Sequence, residues 1–175
     1  YSLIFNLNNN KLIGIHKNTK YYYNKGINFR SIIKGIKNYL NSINEIDILI
    51  DIKKGDINKE IYFLNDNNND TKKLNDKNTE LYINDKKAKY KRYIKTKTIG
   101  KNKVVLKFNY NLGNIKNLFE NCEKIVAINF INFKTQNITN MHRIFFECKN
   151  LKYINFFSFD TKNVQDMRCF LFIVH

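Results

Sequence analysis

Apolar and polar residues alternate along much of residues 43–111, and this period of two is typical of β-strands. The clearest run places isoleucine at 46, 48, 50 and 52, between Asp47, Leu49 and Asp51. Five segments are predicted strands: 46–52, 59–64, 80–83, 88–94 and 104–112. Residues 80–83 and 88–94 flank the polar stretch 84–87, which predicts a hairpin. We therefore predict a small antiparallel β domain over residues 43–111.

The carboxyl-terminal part of the chain repeats itself. Residues 112–137 align with residues 138–163 at an offset of 26, and a third copy begins at Val164. The two complete copies share their apolar positions, which are Leu112/Ile138, Phe119/Phe145, Cys122/Cys148, Ile125/Leu151, Ile128/Ile154, Phe130/Phe156 and Phe133/Phe159. Matching side chains are therefore expected to meet in register when the copies stack.

Each copy changes its apolar spacing part of the way along. Ile138, Met141, Phe145 and Cys148 follow steps of 3, 4 and 3, which predicts a short helix or helical turn. The segment 151–156 then fits a short strand. One such unit cannot bury both faces alone, so the copies should stack with helices in one layer and strands in another. The predicted fold is mainly β with short helices, ending in an incomplete solenoid over residues 112–175.

The segment FKTQNITNMHRIFFECKNLKYINFFSFDTKNVQDM, residues 133–167, resembles the BspA-type leucine-rich repeat of protist proteins. The resemblance includes Asn137, Asn140 and Met141 of the polar turn and Phe145 and Cys148 of the apolar skeleton. It implies a leucine-rich-repeat solenoid used for surface recognition or adhesion. The function expected from it is a non-catalytic interaction module that binds a protein or a cell-surface ligand through the repeats.

Ligand-contacting positions in such a solenoid would lie between the core residues of the strands. The candidates are Asn129 in the first copy and Lys152, Tyr153, Asn155 and Phe157 in the second. The equivalent cysteines at 122 and 148 are interpreted as buried core thiols.

Residues 1–42 predict a β-hairpin followed by a helix. Residues 1–8 and 11–16 flank a turn at Asn9-Asn10, and residues 31–40 have helical spacing with Ser31 as a possible N-cap. This order, with Ser2-Leu3-Ile4 and Ile13-Gly14-Ile15-His16-Lys17, resembles the tail of a trypsin-like serine peptidase domain. The resemblance places Ser2 at the nucleophile position, although Tyr1 and Leu3 replace the glycine and proline of the family pattern.

A serine nucleophile needs an imidazole base and a carboxylate that orients it. In chymotrypsin-like enzymes these two residues precede the serine, so they would lie upstream of residue 1. His16 is interpreted as structural, because it follows Ser2 and residues 1–42 contain no carboxylate. The chain as given is therefore expected to lack peptidase activity, and we interpret it as a fragment. The alternative function is a C-terminal piece of a trypsin-like serine peptidase, active or inactive, with repeat appendages.

Composition excludes several other classes of function. The formal net charge is +16, but only four of the 31 basic residues are arginine, the type best suited to bidentate contacts with phosphates and bases. We therefore expect no specific nucleic-acid partner. No stretch approaches the roughly 18 apolar residues of a transmembrane helix. The three cysteines and three histidines have no zinc-ligand spacing, so neither a metal nor a cofactor is expected.

Overall fold

The structure is a computed structural model that describes residues 2–6, 11–16, 29–40, 42–65, 68 and 70–171. The chain divides into two compact units, Tyr1–Ile36 and Lys37–His175. The described residues are mainly β with a few short helices, as predicted for the fold class. The three-part division at residues 42 and 111 stays a prediction.

The first unit contains an antiparallel β-hairpin. Strand β1 (Ser2–Asn6) pairs with β2 (Lys11–His16), which confirms the predicted hairpin, while the turn proposed at Asn9-Asn10 lies outside the described residues. Helix α1 (Phe29–Leu40) follows in the chain. It begins two residues earlier than expected, so Ser31 lies inside its first turn and the predicted N-cap was wrong.

The second unit has eight described strands and two short 3-10 helices. The strands are β3 (Asn44–Ile52), β4 (Ile61–Tyr62), β5 (Thr79–Ile83), β6 (Lys86–Ala88), β7 (Tyr93–Ile94), β8 (Gly100–Phe108), β9 (Ile125–Asn132) and β10 (Tyr153–Asn155). The 3-10 helices are Lys54–Asp56 and Thr71–Lys73. Six strands form one sheet in the order β10-β9-β3-β8-β5-β6, and β4 pairs with β7 separately.

Strand β3 is the centre of the six-stranded sheet. Its isoleucines at 46, 48, 50 and 52 are buried, and the residues between them are partly exposed. On one side β3 pairs antiparallel with β8, and on the other side it pairs antiparallel with β9 of the first repeat. One sheet therefore continues from the predicted small β domain into the repeats.

The predicted hairpin is shorter than expected. Strands β5 and β6 pair around Asn84 and Asp85, which both adopt positive φ (49° and 63°), as a tight two-residue turn requires. The second arm, predicted over residues 88–94, ends at Ala88, because the chain then leaves the sheet and β7 pairs with β4. The strand predicted over residues 59–64 is likewise reduced to Ile61–Tyr62.

No helix forms between residues 112 and 171, all of which the structure describes, so of the short helix or helical turn predicted in each repeat the helix was wrong and only turns are present. The segment instead consists of successive turns with left-handed residues at equivalent positions. Positive φ occurs at Asn117, Arg143 and Cys169, and at Asn121 and Glu147. A residue in this conformation cannot continue a right-handed helix.

Backbone hydrogen bonds join these turns from one repeat to the next. Over residues 115–121 of the first repeat, every second N–H donates to a carbonyl of the second repeat at 2.9–3.1 Å, in the pairs Ile115–Asn140, Asn117–His142, Phe119–Ile144 and Asn121–Phe146. The second repeat donates in the same way to the third, at Asp166, Arg168 and Phe170. The donor and acceptor of each pair are 25 residues apart, one less than the repeat, and the bridges Asn114–Asn140 and Asn140–Asp166 place matching positions, 26 residues apart, beside each other. This confirms the predicted register.

Side chains upstream of the first repeat cover its outer carbonyl groups. Asn68 Nδ2 donates to the carbonyl oxygens of Asn114 (3.1 Å) and Lys116 (2.6 Å). Asn65 donates through its N–H to Leu118 O (2.9 Å) and through Nδ2 to Glu120 O (2.8 Å). The carbonyls that a preceding repeat would occupy are therefore already hydrogen-bonded.

Candidate interaction surface

The outward side of β9 and β10 presents alternate residues of both strands. In β9, Ile128 and Phe130 are buried, whereas Ala127, Asn129 and Ile131 are at least partly exposed. Tyr153 of β10 is exposed, and so is Phe157, which lies in the turn after the strand. We call Ala127, Asn129, Ile131, Tyr153, Asn155 and Phe157 the outer face.

The outer face is held in register by parallel pairing. Ala127 lies opposite Tyr153 and Asn129 lies opposite Asn155. Asn155 Nδ2 donates to Asn129 Oδ1 at 2.8 Å, and Asn155 Oδ1 accepts from the Phe157 N–H at 2.9 Å. Both amides are thereby fixed by contacts within the surface.

Three large apolar side chains of this face are open to solvent. The exposed fractions are 47% for Ile131, 59% for Tyr153 and 94% for Phe157. Lys152 is exposed beside Tyr153, and its N–H donates to Val126 O at 2.9 Å. Exposed apolar residues that cluster, with polar groups around them, are typical of interaction sites.

The candidate residues from the sequence fall on two separate units. Lys152, Tyr153, Asn155, Phe157 and Asn129 come together on or beside the outer face. Ser2, the proposed nucleophile, belongs to the other unit, where its backbone pairs with that of His16. The assignment of all these residues to a functional site stays a prediction.

The sequence reasoning missed the extension of this surface onto β3. Asp47 lies opposite Asn129, and Leu49 lies opposite Ala127. The Asp47 carboxylate forms an ion pair with Lys103 on β8 at 2.8 Å. The period of two within residues 46–52 predicts which side of the strand these side chains occupy. It does not predict which strand lies beside them. Ile131 was also missed, although its equivalence to Phe157 follows from the 26-residue offset.

The repeated cysteines are core residues, as predicted. Cys122 and Cys148 are buried, and the Cys148 thiol donates to Phe119 O at 2.9 Å. Burial raises the pKa of the Cys148 thiol to about 12, so the thiolate needed of a nucleophile or metal ligand is disfavoured. Among the described residues, no three His, Cys, Asp or Glu side chains are grouped to hold a metal ion. The described helices include none long and apolar enough to span a membrane.

Comparison with known proteins gives one match. No curated protein and no solved structure matches the chain. Residues 106–172 match the family model described as "Mycoplasma protein of unknown function, DUF285". The matched part covers less than half of the chain and includes β9, β10 and all the stacked turns. This part of the chain is therefore similar to the DUF285 family.

Proposed function

We propose that this protein is a non-catalytic interaction module that binds a protein or a cell-surface ligand through the outer face. In this proposal the stacked repeats are the beginning of a BspA-type leucine-rich-repeat solenoid. The observation that carries it is the exposure of Ile131, Tyr153 and Phe157 on or beside two strands that are paired in register.

The energetics of the outer face favour a partner. A preordered surface loses little conformational entropy on binding, so more of the contact free energy appears as affinity. Aromatic side chains with a polar surround are also the residue types that contribute most to protein interfaces. Tyr153 and Phe157 have this character, and Asn155, Asn129 and Lys152 supply the polar groups.

The arrangement of the repeats supports the solenoid. Equivalent residues of successive repeats lie beside each other at Asn114, Asn140 and Asp166, and again at Ile128 and Ile154. Each repeat buries its apolar skeleton against the next and leaves the strand face open. A repeat protein built in this way uses its open strand face for recognition.

Peptides selected from a random phage-displayed library against the full chain test the proposal. Their affinities are then measured for the native chain, for Tyr153→Ala/Phe157→Ala, and for the matched control Tyr39→Ala/Ile99→Ala. The control side chains are similarly exposed (61% and 57%) but lie elsewhere. We expect the outer-face variant to weaken binding about tenfold or more, as removal of two central aromatic contacts does. Equal affinities for the native chain and the outer-face variant would contradict the proposal.

The alternative, a piece of a trypsin-like serine peptidase, depends on the sequence of residues 1–42. A fluorophosphonate probe, which labels activated serines, tests it on the full chain. Under our proposal Ser2 stays unlabelled. Labelling that Ser2→Ala abolishes would favour the peptidase.

A further inference from the structure

A second surface feature is a segment of uniform charge. Residues 86–103 contain nine basic residues, eight lysines and Arg92, and no acidic residue. The segment runs from β6 through β7 into the first half of β8. We call it the lysine strip.

The lysine strip has a period of two. Every second residue from Lys87 to Lys103 is a lysine, with Tyr93 and Ile99 as the exceptions, and all seven of these lysines are exposed. Most intervening residues are at least partly buried, and Ile94 and Asn102 are fully buried. The buried residues anchor the segment, so the ammonium groups project from an ordered backbone.

Few carboxylates neutralise the strip. Lys87 pairs with Glu80, and Lys103 pairs with Asp47. Lys89, Lys95, Lys97 and Lys101 form no ion pair with any residue that the structure describes. Unpaired ammonium groups close together along the chain concentrate counter-ions, and a polyanion that displaces these ions gains free energy.

The contacts of the Tyr93 ring argue against nucleic-acid bases as the target of the strip. The Lys91 ammonium lies 4.8 Å from the centroid of the Tyr93 ring. The centroid of the Tyr62 ring lies 5.4 Å from the centroid of the Tyr93 ring. Tyr93 is therefore already occupied, whereas a base needs an open ring to stack on. Lysine also acts as a point charge and lacks the planar fork with which arginine reads base edges.

We propose that the lysine strip binds a linear sulfated polysaccharide through charge contacts. Such a polymer presents closely spaced anionic groups and requires no base stacking. None of the six outer-face residues belongs to the lysine strip, although Lys103 of the strip pairs with Asp47 where the outer face continues onto β3. The proposal therefore does not depend on the proposed function.

Binding of the full chain to heparin, to fully desulfated heparin and to single-stranded oligothymidine of equal charge tests the inference. The variant changes Lys89, Lys95, Lys97 and Lys101 to Gln, which removes four charges without breaking an ion pair. The matched control changes Lys54, Lys72, Lys77 and Lys116 to Gln, four other exposed lysines without ion pairs to described residues. Thermal melts establish that both variants fold.

We expect heparin to bind more tightly than oligothymidine and the strip variant to lose about tenfold or more in affinity. For the strip variant, the slope of log affinity against log salt concentration should be smaller by roughly 3, because each of the four lost charge contacts contributes about 0.7 to the slope. The control should change both values much less. Equal losses in the two variants would show that net charge alone binds heparin and would overturn the inference. Tighter binding of oligothymidine through the same lysines would assign the strip to nucleic acid instead.

Discussion

The ring of Phe119 lies parallel to the ring of Phe145, with 5.6 Å between their centroids and 4° between their planes. The two residues are 26 positions apart in the sequence and both are fully buried. Their backbones are joined through the hydrogen bond from Phe119 N to Ile144 O at 2.9 Å. The Phe119–Phe145 pair thus shows that the repeats have equal length, that they stack in register and that they share a buried core.

The Phe119–Phe145 contact should couple the stabilities of the two repeats. We expect Phe119→Leu and Phe145→Leu each to lower the free energy of unfolding by about 1 kcal/mol. The double variant should deviate from additivity by about 0.5–1.5 kcal/mol, the range for aromatic pairs. Urea denaturation gives these values. A second double-mutant cycle, of Phe119→Leu with Phe157→Leu, is the control. Because Phe157 is 94% exposed, the coupling free energy in this cycle should be close to zero. Similar coupling in both cycles would contradict the register.

Asp70 should make the stability of the first repeat depend on pH. Its carboxylate accepts from Gly113 N (2.9 Å) and Asn114 N (2.8 Å) and pairs with Lys73. Partial burial opposes ionisation, but the Lys73 hydrogen bond and the two backbone bonds prevail and lower the pKa of Asp70. A lowered pKa in the folded state stabilises the protein above the ordinary value of 3.8.

Asp70→Asn should therefore lower the free energy of unfolding by about 1–2 kcal/mol at neutral pH. The difference from the native chain should decline as the pH falls below the ordinary value and through the lowered pKa. Thermal melts over this pH range measure it. Asp51→Asn, which loses a surface contact with Lys53, should have a smaller effect. A difference for Asp70→Asn that persists in acid would rule out the charge as its source.

Glu147→Asn should stabilise the second repeat. Glu147 adopts a φ of 57°, and the equivalent residue of the first repeat, Asn121, adopts 61°. Asparagine tolerates this left-handed conformation better than other residues that carry a Cβ atom. We expect a gain of about 0.5–1 kcal/mol. Glu147→Gln is the control, because it loses the same charge but keeps the unfavourable backbone preference. No difference between the variants in urea denaturation would count against this explanation.

The three thiols should differ in reactivity. Cys169 is exposed, whereas Cys122 and Cys148 are buried and burial raises the pKa of Cys148 to about 12. With Ellman's reagent at mildly alkaline pH, we expect one thiol to react in the native chain and all three after denaturation in guanidinium. Cys169→Ser should remove the fast reaction. Fast labelling of Cys148 in the native chain, detected by mass spectrometry, would be inconsistent with the packed core.

The sequence predicted those features that depend on neighbours along the chain. The isoleucines of residues 46–52 gave both the strand and its buried side, since a period of two is a property of an extended backbone. The 26-residue offset gave the register of the repeats and therefore placed Asn129 beside Asn155. The lysine strip is also visible in the sequence, as lysines at alternate positions, but the net charge summed over a long segment does not show this pattern.

Tertiary structure decided how those segments are paired. Spacing of 3, 4 and 3 shows only that Ile138, Met141, Phe145 and Cys148 face one side, which a helix and a series of turns both satisfy. The turns form because their N–H groups find acceptors in the adjacent repeat and not four residues back in the same segment. In the same way β3 pairs with β9, and β7 with β4, through contacts between residues distant in the sequence. Local pattern sets which way a side chain faces, but only the folded chain supplies the partner for each backbone donor.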